Sequence, residues 1–529
     1  MKSKSLFVKD FIYIIPVSIG LGYFLATLQF GSLVKGTFAF GLLIFLALLA
    51  LLPAVRWSGG GKILGWMVAL TFTLRIAVGV ATYFALPIDG YDSPDDRTGF
   101  VFTDAHNRDT QAWKLADIDE NIWEAFNKKY HTDQYGGLLA FSAIVYRYLS
   151  IDFHRPLLLV LISALIAALG LPFLWKAVAQ LWGEKTARIS CWIFILYPES
   201  ILLGSAVMRE PYLMTFSALA LWGFVDWREN HNKTASMWLG LAFAGMLLVS
   251  PVVALITIIL FAGWIWFTRE QKRISWIVLF SGLAVFMAGL FLFAWALNRA
   301  GHYGNSPFDI LTNWTKEAVS WVAFQTERQS GWLQKLFEGK PLMWRVSFIA
   351  IYGILQPVLP PAIFEPTTTT WHIIGILRAL GWYALLPVLI LSFVAAAGQR
   401  PVLSEVEGAG MNRRLWMWFS FFAWTWILLT ALRGGGDQWD NPRYRAILFL
   451  WQAILAGHTL VWWRGTRNPW LWRIVGMEFV FLFFFGQWYA SRYISLGMQM
   501  PFGIMVALIL GLWLAILVGG WWWDRKRRA

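Results

Sequence analysis

The sequence is poor in charge: only 14% of its 529 residues are Asp, Glu, Lys or Arg, against about 25% in an ordinary soluble domain. That excludes a soluble fold, and a hydrophobic content of 58% excludes disorder. A single cysteine, Cys191, excludes an intramolecular disulfide framework. With seven histidines beside it, no zinc-ligand spacing occurs. There is no Walker loop, no GxSxG and no GxGxxG ahead of a helix, which removes support for ATP hydrolysis and Rossmann cofactors. No internal repeat is visible, which weakens transporter folds built from inverted repeats. Residues 1–9 lead into an apolar block without a small-residue cleavage site, so no cleavable signal is expected.

What is there is a series of apolar blocks, each long enough for the roughly 20 residues of a bilayer crossing. Crossings are predicted at 11–30, 37–55, 63–85, 156–181, 187–204, 208–226, 235–250, 251–268, 274–297, 372–397, 415–432, 442–462, 470–490 and 500–522. The expected fold class is an all-α polytopic membrane protein with about fourteen transmembrane helices. The net charge of +14 lies between the blocks, so it reads as topology signal and anionic-lipid contact, not nucleic-acid binding. Counted over short segments, from Lys2, Lys4 and Lys9 to Arg525–Arg528, 23 basic residues fall on one side. That predicts a multi-pass cell-membrane protein with both termini cytoplasmic. Thirty-five Trp residues suit interfacial belts. Segments 86–155 and 298–345 then lie outside. The apolar stretch 346–364, broken by Pro357, Pro360 and Pro361, is read as re-entrant or interface-lying, and 398–414 as a solvated linker.

The first outside loop is acidic in a basic protein: residues 86–134 hold 11 acids and 5 bases. Asp92–Asp96 with Pro94 reads as a turn cluster. The stretch FTDAHNRDTQAWKLA turns helix-like, which places Asp109 in a first helical turn, where the dipole favours an acid, with Trp113 and Ala116 on the apolar side. Asp104 lies in the same stretch. Residues 135–150 form an apolar segment of about 16 residues, better suited to an interfacial helix than to a span. His106 and His131 stand among acids with no tight ligand spacing, so a solvated role is expected. Between two spans lie Glu199, Arg209 and Glu210, with Pro211 suited to a first helical turn. A Gly-rich loop then ends in Asn441-Pro442 before Arg443-Tyr444-Arg445. Guanidinium groups suit phosphate, because their fork donates paired charge-assisted hydrogen bonds. Arg75, Arg378 and Glu478 lie inside apolar blocks, where a charge defaults to a functional or paired role.

These residues in this order resemble the polytopic C-type (GT-C) membrane glycosyltransferases, such as the protein O-mannosyltransferases, the lipid A aminoarabinose transferase and related bacterial enzymes. Asp109, Trp113 and Ala116 match the family's outside Asp with an aromatic four residues on and a small residue seven on. Residues 133–139 resemble a degenerate interfacial motif, and His154-Arg155-Pro156 the Arg-Pro entry to a span. Leu181-Trp182-Gly183, Tyr197-Pro198, Glu210-Pro211 and Arg443-Tyr444 follow in family order, with Glu210 where the family often has a second Asp. The resemblance covers about 63–270 well and the rest loosely.

The resemblance implies four regions: two additional transmembrane helices at 1–62, a GT-C-like catalytic core at 63–297 that includes loop 86–155, an outside loop with the re-entrant or interfacial segment at 298–371, and C-terminal transmembrane helices at 372–529. It implies transfer of a sugar from a polyprenyl-phosphate donor to an extracytoplasmic lipid, glycan or protein acceptor. Catalysis would fall to Asp109 with Glu210, Asp104 being the alternative acid. Phosphate would be held by Arg209, Arg443, Tyr444, Arg445 and Arg378. No cofactor is required, and the two carboxylates leave room for a divalent cation. Two other classes fit parts of the sequence. A lipid or small-molecule transporter or flippase would explain the intramembrane charges, and an O-antigen ligase or polymerase would use the Arg and His of 298–345.

Overall fold

The computed structural model describes residues 2–90, 99–117, 121–127, 135–268, 331–398, 413–433, 441–497 and 499–528, except 231, with scattered positions between 269 and 330. The Asp92–Asp96 cluster, His131, Asp133-Gln134, nearly all of span 274–297, most of 298–345 and of 398–414, and 434–440 lie outside the described residues. Among the described residues there is helix and connecting turn and no strand.

The helices through the first half are α1 (Lys2–Thr27), α2 (Leu33–Ser58), α3 (Gly61–Asp89), α4 (Thr103–Asp117), α5 (Gly137–Leu149), α6 (Leu157–Leu196), α7 (Pro198–Gly204), α8 (Glu210–Asn230), α9 (Lys233–Val249) and α10 (Pro251–Thr268). Then come α11 (Gly331–Phe337), α12 (Leu342–Leu355), α13 (Leu359–Phe364), α14 (Thr369–Ala397), α15 (Arg413–Arg433), α16 (Asn441–Ala446), α17 (Phe449–Thr466), α18 (Trp470–Tyr493) and α19 (Phe502–Arg528).

Eight of these, α2, α3, α6, α10, α14, α15, α18 and α19, are long and apolar enough to cross a bilayer. By length and composition this is a multi-pass membrane protein. The eight are counted among the described residues, which leave out the predicted span 274–297, and they do not confirm the fourteen expected from the sequence. The apolar parts of α1 (Ile12–Thr27) and α9 (Thr234–Val249) are shorter than the others. The blocks at 156–181 and 187–204 meet within α6, where the backbone leaves helical geometry at Gly183 (φ 82°, ψ 162°), between the two predicted blocks. The predicted break at Ser250-Pro251 does separate α9 from α10.

The chain divides into two compact units. The first comprises Met1–Ala187, Ser200–Ala262 and Gln271–Lys316. Its N-terminal hairpin, α1 and α2, crosses at Gly22 and Gly41, where a Cβ on Gly22 would lie 2.6 Å from the Gly41 nitrogen. Small residues at a crossing let two membrane helices approach closely. Ser32 caps α2. In α3, fully buried Arg75 donates to Ser200 Oγ (2.9 Å) and to the Thr71 carbonyl (3.3 Å). Gly204 makes room for it, since a Cβ there would lie 2.5 Å from Arg75 Nε.

The second unit comprises Arg188–Glu199, Gly263–Glu270 and Glu317–Ala529. The proline-broken stretch 346–364 forms α12 and α13 with a break between them at 356–358. A helix end leaves carbonyls without intrahelical donors, and in apolar surroundings they need other partners. Trp382 Nε1 donates to the carbonyl of Ile354 (2.8 Å), the Tyr383 hydroxyl to Leu355 (2.9 Å) and Arg445 Nη2 to Gln356 (3.0 Å). Arg378 is paired, as an intramembrane arginine should be: Nε and Nη2 donate to both oxygens of buried Glu199, at 2.6 and 3.0 Å.

Candidate active site

α4 is polar overall, yet it buries one face made of Ala105, Arg108, Asp109, Ala112 and Leu115. The spacing is that of a helical stripe, with an ion pair's worth of charge placed on the wrong side for a solvated loop. The helix begins at Thr103, so Asp104 occupies the first turn and Asp109 the second. The expected dipole stabilisation of Asp109 is therefore corrected: it fades within the first turn and applies to half-buried Asp104.

Side chains hold Asp109 instead. α5 is a 13-residue helix, too short for a hydrocarbon core of about 30 Å. It presents buried Tyr146, whose hydroxyl donates to Asp109 Oδ1. His154 lies after α5, and its Nε2 is 3.0 Å from Asp109 Oδ2. That contact is close but off the line of a well-aligned hydrogen bond. Trp113, one turn beyond Asp109, stacks on the His154 ring (5.1 Å, 22°) and meets Tyr146 edge-on (5.7 Å, 83°). Burial first, then the Asp109 carboxylate, hold the Tyr146 phenol well above its ordinary pKa, so it remains a donor. His106, on the same helix, is pushed down by burial, against the pull of Asp109.

Two further bonds fix α4. Arg147 of α5 donates to the Leu115 carbonyl (2.9 Å), capping the end of α4. Arg108, buried beside Asp109, donates to the Val207 carbonyl (2.6 Å). Val207 lies three residues before Glu210, which opens α8 together with Pro211 and is fully buried. The Asp109 helix and the Glu210 turn, distant in sequence, are thus tied to each other. Arg209 sits half-buried in that turn.

The remaining phosphate candidates belong to the second unit. Arg443 is buried and its guanidinium lies 4.9 Å from the ring of Tyr444, as that of Arg433 does at 5.1 Å. Arg445 lies flat on Trp382, 3.3 Å from the ring centroid, besides its bond to the Gln356 carbonyl. Arg378 is held by Glu199.

Among the described residues no group of three or more His, Cys, Asp or Glu side chains is gathered as a metal ion would need. Both oxygens of Asp109 already face protein partners. Sequence reasoning missed Tyr146 and His154 as partners of Asp109. Their signals are slight: a tyrosine on the apolar face of a short helix, and a histidine directly ahead of an Arg-Pro pair.

No family model matches the sequence, and no curated protein matches it. Among solved structures, the archaeal oligosaccharyltransferase AglB from Archaeoglobus fulgidus, in complex with an inhibitory peptide and a dolichol-phosphate, is similar at 13% identity and a TM-score of 0.37. The match covers 86% of this chain and 54% of that one, so the chain spans about half the length of that protein. A likeness so distant carries no function across.

Proposed function

We propose that the protein is a membrane glycosyltransferase that moves a sugar from a polyprenyl-phosphate donor to an acceptor outside the cytoplasm. One observation supports this above others: a buried carboxylate, Asp109, lies in an aromatic corner on a short helix tied to the Arg209–Glu210 turn. A phosphate leaves readily, so the donor needs a cation more than a strong acid. Arg209, next to Glu210, takes that part, neutralising the charge that develops on the leaving oxygen. Arg443, Tyr444 and Arg445 are proposed phosphate contacts on their chemistry alone. The acceptor hydroxyl needs a base, and the Asp109 centre supplies it. Glu210, fully buried at the start of α8, helps to hold the environment of Asp109.

The test uses the full chain in detergent or nanodiscs with radiolabelled polyprenyl-phosphate sugars. D109N and E210Q are each expected to lose about 10²-fold or more of the transfer rate. Wild-type transfer in both variants would remove this site from the reaction.

A further inference from the structure

Asp109 has little room for a substrate. Its side chain is 2% exposed, and its two oxygens face the Tyr146 hydroxyl and His154. The member of the cluster that reaches the surface is His154, with 28% of its side chain exposed. Its Nε2 is the buried nitrogen, turned to the carboxylate. A neutral imidazole has one N–H and one lone pair. With Nε2 3.0 Å from a carboxylate oxygen, charge favours the proton on that nitrogen, which leaves the lone pair on Nδ1.

We propose that His154 is the base that takes the proton of the acceptor hydroxyl, through Nδ1, and that Asp109 is a positioning residue that fixes the ring and its tautomer. This rests on the glycosyltransferase reading. In the step, the acceptor's proton passes to Nδ1 while its oxygen forms a bond to the sugar's anomeric carbon. The bond from that carbon to the phosphate oxygen breaks, and its electron pair leaves with the phosphate. The imidazolium, stabilised by Asp109, then returns the proton to water. The division of labour is that of a buried carboxylate orienting a histidine.

The segment that carries His154 is built to hold it. The Ser150 hydroxyl donates to the Phe153 carbonyl (2.6 Å). Arg155, itself buried, pairs with Asp152 through two bonds of 2.6 and 2.9 Å and donates to the Ser32 carbonyl (3.1 Å), while the Ser32 amide donates to Asp152 (2.8 Å). Trp113 covers the ring.

The experiment compares wild type, H154Q, H154A and D109N in the same polyprenyl-phosphate sugar assay, with melting curves for each. H154Q is expected to lose about 10²–10³-fold in kcat with KM within about threefold. H154A is expected to regain transfer when imidazole is added. The inference is overturned if D109N loses transfer while H154Q keeps wild-type kcat, or if H154A melts like wild type and imidazole restores nothing. If D109N and E210Q both transfer like wild type, or wild type transfers from no donor, the glycosyltransferase reading itself fails and this inference goes with it.

Discussion

Tyr146 shows how a single residue sets the state of the centre. Its phenol is buried and donates to a carboxylate that is also buried. Replacing it with Phe keeps the packing against Trp113 and removes one donor. An acceptor left buried without its partner costs about 1–3 kcal/mol. Y146F is therefore expected to lower the thermal midpoint of the detergent-solubilised protein by several degrees, read by intrinsic fluorescence. An unchanged midpoint would mean that Oδ1 finds another donor. At this scale the sequence was informative about Asp109 and silent about what holds it. Asp109, Trp113 and Ala116 stand at helical spacing, and that spacing is written in the chain. Tyr146 and His154 reach the same carboxylate from 37 and 45 positions away, and no local pattern encodes such a meeting. Arg108 was equally hidden: a base in an acidic loop reads as charge balance, and its burial against Val207 depends on a distant backbone.

Among the elements, the clearest device is the tie between the N-terminal hairpin and the turn after α5. Hydrogen bonds from Arg155 are the main cause of the lowered pKa of Asp152, with burial opposing them. A carboxyl whose folded value lies below its unfolded one stabilises the fold above the usual aspartate range, near about 4. That stabilisation is lost as pH falls through the lowered folded value. The tie should thus hold unchanged from pH 8 to pH 5. D152N removes it at every pH and leaves Arg155 buried without its anion, at a cost of about 3 kcal/mol. Limited proteolysis between α1 and α2 across that pH range measures it: D152N should be cut faster than wild type throughout. Gly31 belongs to the same device. Its φ is 99°, and a Cβ there would lie 2.5 Å from Arg155 Nη2, so G31A should weaken the tie as D152N does. The prolines of 346–364 announced the break between α12 and α13. The donors that satisfy it, Trp382, Tyr383 and Arg445, did not announce themselves, because a Trp or Arg at the edge of an apolar block reads first as an interface anchor.

For the whole molecule, hydropathy reveals helices more readily than it counts crossings. α6 shows why: the backbone leaves helical geometry at Gly183, beside Glu184, Lys185 and Arg188, so two predicted blocks share one element with only a short polar turn between them. The orientation is open to a direct measurement, because Cys191 is fully buried and leaves a nearly silent background for thiol labelling. In intact vesicles the native chain should not react with a maleimide until it is unfolded. Cysteines introduced at Asp104 and at Lys526 are expected to react with an impermeant reagent from opposite sides. Labelling of both from one side would reverse the placement of the acidic loop.

The fastening of the hairpin also bears on biosynthesis. Ser32 leaves the ribosome 120 residues ahead of the aspartate that will hold its amide. Until then α1 and α2 are held by their glycine-to-glycine crossing and, once it has emerged, by α3 against α2. A nascent chain arrested between residues 60 and 150 should contain a hairpin that is already formed but not yet docked. Defects at Gly22 or Gly41 would then strike during insertion, whereas defects at Asp152 or Arg155 would strike only after the later helices have arrived.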